Sequence, residues 1–199
     1  MGSTEIGQYI DVLEAYVKEY FSLSPDALAE FLASWKSFNA ERKEILTQQG
    51  ENEKYLYFVL EGVQRVYTLN AEGKEATLIF TYAPSFGGVL NAMMTGQPSQ
   101  FFYETLTSSR FLRLPVSEIK RMMLVNSEIA QMINLGVSGA LGGVLNRLAE
   151  LQLMSSEEKF KSLLKRSPHI LTLVPHKYLA SYLGIDATNF SKLMNKVKI

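Results

Sequence analysis

Apolar residues recur at helical spacing near the start of the chain, where Ile6, Ile10, Leu13 and Val17 share one face. Ser24-Pro25-Asp26 sets a cap ahead of a proline at the first helical position. Residues 5–38 therefore read as helical. From Ile45 the pattern turns strand-like. Residues 55–60 are rich in aromatic and β-branched side chains and close on Glu61-Gly62. Residues 63–69 alternate, with Val63, Arg65, Tyr67 and Leu69 on one side and Gln64, Val66 and Thr68 on the other. Asn70-Ala71-Glu72-Gly73-Lys74 predicts a hairpin turn, and residues 75–81 the returning strand. Further short strands are predicted at 101–107 and 110–114. Short strands broken by Gly turns point to a sandwich or jelly roll.

After Pro115 the pattern becomes helical again. Val137, Leu141, Val144, Leu148 and Leu151 step by 4, 3, 4 and 3, the spacing of a seam for a partner helix. Gly136, Gly139, Gly142 and Gly143 lie beside it. Each glycine weakens a helix interior by about 1 kcal/mol relative to Ala, so their density implies a close approach to the backbone. Two distinct apolar stripes call for two partners, which favours a dimer helix over an ordinary buried helix of a monomer. Ser155-Ser156-Glu157-Glu158 is a capping box, Ser155 with Glu158, and opens a new helix. The expected domains are residues 1–125, a long helix over 126–154, and 155–199.

Within the last of these, Leu179, Ala180, Leu183, Gly184, Ile185, Asp186, Phe190 and Leu193 have the spacing of a helix-turn-helix. Ala180 is small where the two helices touch, Gly184 permits the tight turn, and Asp186 can cap the second helix. Leu179, Leu183, Ile185, Phe190 and Leu193 are expected to form the shared core. In such a motif the second helix lies in the major groove. Ala187, Thr188 and Lys192 are then expected at base edges, and Asn189, Ser191, Asn195 and Lys196 nearer the phosphates. Lys192 can donate to guanine, Thr188 to either base type, and Ala187 can touch only a thymine methyl. Without Arg this is a weak reading head, with modest sequence discrimination expected.

Charge supports the reading. The 199 residues balance to zero, yet residues 155–199 hold eight Lys and Arg against three acids, a surplus of +5. A basic end on an acidic body suits a polyanion. With Cys 0 and His 2, thiol catalysis, iron–sulfur ligation and Cys-based zinc sites are excluded. No metal or other cofactor is expected, and no catalytic residue is identified. Residues 129–146 run 18 positions without a charge, but Gln131, Asn134, Ser138 and Asn146 interrupt them. No membrane span or targeting signal is expected, and the chain reads as cytoplasmic.

A β-roll, a long Leu-seamed helix and a terminal helix-turn-helix, in that order, resemble the Crp/Fnr family of bacterial transcription regulators. The resemblance runs from about Phe31 to Ile199. It rests on Gly50-Glu51, Tyr57-Phe58-Val59-Leu60-Glu61-Gly62, Phe86-Gly87, residues 105–114 and the Leu179-to-Leu193 motif. The phrase Tyr178-Leu179-Ala180-Ser181-Tyr182-Leu183-Gly184-Ile185 is similar to the branch common in Bacteroidetes. The fold class implied is α+β, an N-terminal cyclic-nucleotide-binding-like β-roll with flanking helices, a dimer helix and a DNA-binding module. The family implies a homodimer that senses a small effector and binds double-stranded DNA at a palindromic site, with RNA polymerase as a further partner. It places the effector pocket at Phe86, Gly87, Gly88, Val89, Ser99 and Gln100.

There are departures from the family pattern. Gly88 stands where cyclic-nucleotide binders carry a Glu, and Pro98-Ser99-Gln100 falls where their Arg belongs. No basic residue occurs between Lys74 and Arg110, so nothing in this segment neutralises a cyclic phosphate, although the Gly87-Gly88 backbone can cradle an anion weakly. The expected effector is therefore not cyclic AMP. Haem and iron–sulfur sensing are disfavoured by the positions of His and the lack of Cys. With the sequence ending at Ile199, no β-wing is expected after the reading helix. Tyr55, Tyr57, Tyr67, Phe80, Tyr82, Phe86, Phe101, Phe102 and Tyr103 are expected to serve mainly as core. Two rival readings stand beside this one: a cupin-like enzyme, poorly served by so few imidazoles, and a small-molecule-binding module whose helix-turn-helix docks a protein.

Overall fold

The computed structural model describes residues 3–196. Helices α1 (Ser3–Tyr20) and α2 (Pro25–Leu32) come first, and the Ser24 hydroxyl accepts the Ala27 N–H as the sequence predicts. Strands β1 (Lys36–Ala40), β2 (Ile45–Thr47), β3 (Tyr55–Glu61), β4 (Val63–Leu69), β5 (Glu75–Tyr82) and β6 (Ser85–Gly87) follow. After α3 (Leu90–Thr95) come β7 (Phe102–Thr105) and β8 (Ser109–Pro115). The strands form two four-stranded sheets, β1-β8-β3-β6 and β2-β7-β4-β5. The crossing order is that of a roll rather than of a meander. Helices α4 (Val116–Val125), α5 (Ser127–Leu153), α6 (Ser156–Arg166), α7 (Ile170–Leu173), α8 (His176–Leu183) and α9 (Ala187–Lys196) complete the described chain.

The chain divides into two compact units. Residues up to Val66 join 80–139 in the first, and 67–79 join those from Ala140 onward in the second. In the first unit, Leu13, Val17 and Phe31 of the N-terminal helices and Trp35 in the link to β1 pack with Leu56, Phe58, Leu112 and Leu114 of the sheet and Ile129 of α5. A second cluster, with Tyr57, Val59, Val66, Tyr103 and Phe111, includes residues of both sheets.

One expectation fails here. Residues 36–38 are strand, not helix: β1 pairs antiparallel with β8, Phe38 opposite Phe111. Pairing with a distant strand overrides the local helical signal. Strand β4 buries both of its sides over residues 63 to 67. Arg65, 1% exposed, is accommodated by Glu104 Oε2 at 2.8 Å from its Nε. The charge is paired, so it need not face water.

Among the described residues no helix is long and apolar enough to cross a membrane. Lys198, counted in the basic surplus, and the end of the chain after α9 lie outside the described residues.

Candidate functional site

The C-terminal helical pair is assembled by the residues that predicted it. Gly184 takes a left-handed conformation (φ 65°) after α8, where the Ile185 N–H reaches the Ala180 carbonyl at 3.1 Å. Asp186 Oδ1 accepts the Asn189 N–H at 2.8 Å and so caps α9. Leu179, Ala180, Leu183, Phe190 and Leu193 are buried, and Phe160 of α6 meets Phe190 edge-on at 5.5 Å. Ile185 is only half-buried, a correction to its expected place in the core. It sits in the turn, beyond the packed faces of the helices.

Ala187, Thr188, Ser191, Lys192, Asn195 and Lys196 are exposed, and Asn189 is half-buried. At 100° per residue, Thr188, Ser191, Lys192 and Asn195 share a face opposite Phe190. Asn189 and Lys196 lie to one side of it, against α6. The Asn189 amide donates to Ser156 Oγ at 3.3 Å, and Lys196 Nζ lies 2.7 Å from Glu157 Oε2. Lys161 Nζ sits at 2.8 Å from the other oxygen of Glu157. These two lysines hold the Glu157 carboxyl well down, to about 2. In the sequence Glu157 stands only within the Ser155-to-Glu158 capping segment. Nothing local signals that it meets the far end of α9.

A second ionic cluster ties α5 to α6 and α8. Arg147 lies over the Tyr182 ring at 4.3 Å and donates to the Tyr182 carbonyl. Glu150 accepts from Arg147 Nη1 at 3.0 Å, from Ser162 Oγ at 2.8 Å and from both terminal nitrogens of Arg166. Hydrogen bonds from Arg166 above all lower the Glu150 carboxyl from 4.5 to about 2. A depressed acid stabilises the fold above its unfolded value and loses that contribution as pH falls through the folded one. Protection of α6 and α8 against hydrogen exchange, taken relative to the intrinsic rate at each pH, is therefore expected to fall between pH 4.5 and about 2, and Glu150→Gln to show the reduced protection already at neutral pH. An unchanged pH profile in the Gln variant would refute this role for Glu150.

Along α5 the predicted seam residues Leu141, Val144, Leu148 and Leu151 are exposed, as are Leu135 and Leu145. Val137 differs, since it packs against the core of the first unit. A Cβ placed on Gly139, Gly142 or Gly143 would meet nothing within 4 Å. Of the four glycines only Gly136 has such a neighbour among the described residues, Phe21 at 3.8 Å.

Several of the expected effector residues have partners within the fold. Phe86 turns into an aromatic cluster, with ring centres 5.5 Å from Tyr16, 5.3 Å from Phe58 and 6.1 Å from Trp35. Gly87 has no room for a side chain, because a Cβ there would run into the Tyr103 hydroxyl. That hydroxyl lies 2.9 Å from Thr81 Oγ1, which donates to Gln64 Oε1, and Gln64 Nε2 donates on to Ser109. The Val89 N–H is taken by Glu53 Oε2 at 2.7 Å. Ser99 braces another turn through backbone bonds with Gly50 and Glu51, while Gln100 is exposed. Burial raises the Glu53 carboxyl above its usual range, opposed by bonds from Val89, Thr47, Tyr55 and Lys54. Glu53 escaped sequence reasoning altogether. Among the described residues no group of His, Cys, Asp or Glu could hold a metal ion.

Against known proteins, the family model of the cyclic nucleotide-binding domain matches residues 38–126. Comparison with curated protein sequences finds no match. Among solved structures, FixK2 from Bradyrhizobium japonicum superposes with a TM-score of 0.75 at 16% identity, covering 81% of this chain and 83% of that one. A Crp/Fnr-family transcriptional regulator from Eubacterium rectale gives 0.69 at 17% identity, covering 87% and 83%. The c-di-GMP-responsive global regulator CLP of Xanthomonas campestris gives 0.64 at 14% identity, covering 87% and 91%.

Proposed function

We propose that this chain, a cyclic nucleotide-binding domain joined to the helices of the Crp/Fnr regulator fold, is a cytoplasmic transcription regulator that binds DNA as a homodimer. The observation that carries the reading is the outer face of α9. Thr188, Ser191, Lys192 and Asn195 stand together on it, exposed, behind a glycine turn and a capped first turn. A helix N-terminus so presented suits the major groove. Lys192 with Thr188 and Ala187 would read bases, and Asn195, Ser191, Asn189 and Lys196 would lie nearer the phosphates. The apolar face of α5 supports a two-fold pair, as a palindromic operator requires.

The test is selection of bound duplexes from a random pool by the full chain. Recovery of a palindrome supports both DNA reading and two-fold symmetry. Binding without sequence enrichment and without salt dependence would instead favour a module that docks a protein. The cupin-like enzyme loses ground because the matched folds are those of regulators.

The effector of the sensing domain is proposed to be something other than cyclic AMP. Gly88 offers no carboxylate to a ribose, and the segment from Glu75 to Ser109 holds no Lys or Arg to meet a phosphate. Calorimetry is expected to show no heat of binding with cyclic AMP. Micromolar affinity would overturn this.

A further inference from the structure

Two segments far apart in the sequence, 47–55 and 88–89, meet on one buried carboxylate. Glu53, 6% exposed, lies between β2 and β3. Thr47 Oγ1 stands 2.9 Å and 2.8 Å from its two oxygens, and the Val89 N–H lies 2.7 Å from Oε2. Gly88 forms the wall beside it: a Cβ there would stand 3.6 Å from Oε2 and 3.3 Å from the Tyr55 carbonyl. The acid is thus held by a hydroxyl and a backbone N–H, with no Lys or Arg against it in the loop that it ties down. Burying a carboxylate is unfavourable unless its hydrogen bonds are made, and charge-assisted bonds of this kind are the strong ones.

We propose that Glu53 is a built-in anion of the sensing loop, filling the slot between Thr47 and the Gly88-Val89 backbone and so closing that loop to anionic effectors. The inference rests on the reading of this domain as the sensing part. It adds a residue that decides what the loop can accept. An incoming phosphate or carboxylate finds the Val89 donor already occupied and a like charge beside it. An effector that enters here must be neutral or cationic, or must displace Glu53.

Hydrogen exchange on the full chain tests this, with formate as the probe and chloride at matched ionic strength as its control. In the wild-type protein residues 86–93 should exchange slowly and be indifferent to formate. Glu53→Ala should speed their exchange by about tenfold or more, the loss of one charge-assisted bond, and formate should slow it again by refilling the slot. If the alanine variant does not fold, Glu53→Gln keeps the shape and one acceptor oxygen without the charge. It should raise exchange at 86–93 and leave α6 to α9 unchanged. Wild-type protection in the alanine variant, fast exchange that formate does not slow, or a formate response in the wild-type protein would each overturn the proposal. In the glutamine variant, exchange at 86–93 equal to wild type would do the same. None of these outcomes involves DNA. Failure here leaves the regulator reading standing, and failure of the duplex selection leaves the role of Glu53 standing.

Discussion

Leu141→Glu is expected to leave the chain folded and to abolish its dimer. Leu141 is 58% exposed, Val144 45% and Leu148 50%, so within one chain the new carboxylate faces water. Little stability is at stake in the monomer, because surface substitutions away from special features usually change it by about 0.5 kcal/mol or less. In a two-fold seam the same position faces its counterpart, and two carboxylates would be buried together without partners. An uncompensated buried charge costs about 3–5 kcal/mol, equivalent to a loss of about a hundred- to a thousandfold or more in dimer affinity. Sedimentation velocity beside circular dichroism checks both halves of the expectation. A variant that is still dimeric would move the interface away from this face. A dimer lost together with the fold would mean that Leu141 is core, contrary to its exposure. Binding to a palindromic duplex should fall with the dimer, since two linked half-sites raise affinity well beyond one.

What the sequence made legible are the features with a local physical cause. Ser24-Pro25, the Ser155–Glu158 box and the Gly184-to-Asp186 turn each satisfy backbone groups a few residues away. Their signatures survive without knowledge of the fold. The strands β3, β4, β5, β7 and β8 likewise announce themselves by composition and by the turns between them. Strands β1 and β6 do not. They span five and three residues, and their reason for being strands lies in β8 and β3. The burial of both sides of β4 has a related cause. Polar residues point outward only if nothing inside can pair with them, and Arg65 has Glu104 at 39 positions' separation.

The candidate sites divide in the same way. The faces of α9 and α5 follow from helical spacing and were readable. The partners that constrain them were not. Glu53 stands in a polar turn between Asn52 and Lys54, yet it reaches Val89, 36 residues away. Glu157 reaches Lys196 at a separation of 39. An acid in a turn or at a helix start has a sufficient local explanation, which hides any second task. Phe86 and Ser99 show the converse. Their family motif is local, while the aromatic cluster with Tyr16 and Trp35 that holds one and the Gly50-Glu51 turn that holds the other are not.

Glu157 changes what is expected of the reading helix. Lys192 lies on the exposed face of α9, so Lys192→Ala should relax specificity by about 1–3 kcal/mol at one base pair of each half-site. Lys196 lies at the side and is held by Glu157 at 2.7 Å in the free chain. To reach a phosphate it must exchange one anion for another, which offsets part of its gain. Lys196→Ala should weaken binding equally on all sequences and reduce the log-log salt slope by about one unit per subunit. Glu157→Gln should do the opposite. It frees the lysine and removes a negative charge near the backbone, so affinity should rise on operator and scrambled duplex alike and the salt slope should steepen. In a two-fold dimer the half-sites should be centred about 34 Å apart, one helical turn. Salt titrations of the three variants on both duplexes measure all of this together. Equal losses on both duplexes for Lys192→Ala would reduce that residue to a phosphate contact and leave base reading to Thr188 or to DNA shape. A Glu157→Gln variant with wild-type affinity and slope would mean that Lys196 stays on α6 in the complex, where it contributes to the packing of the module and not to its hold on DNA.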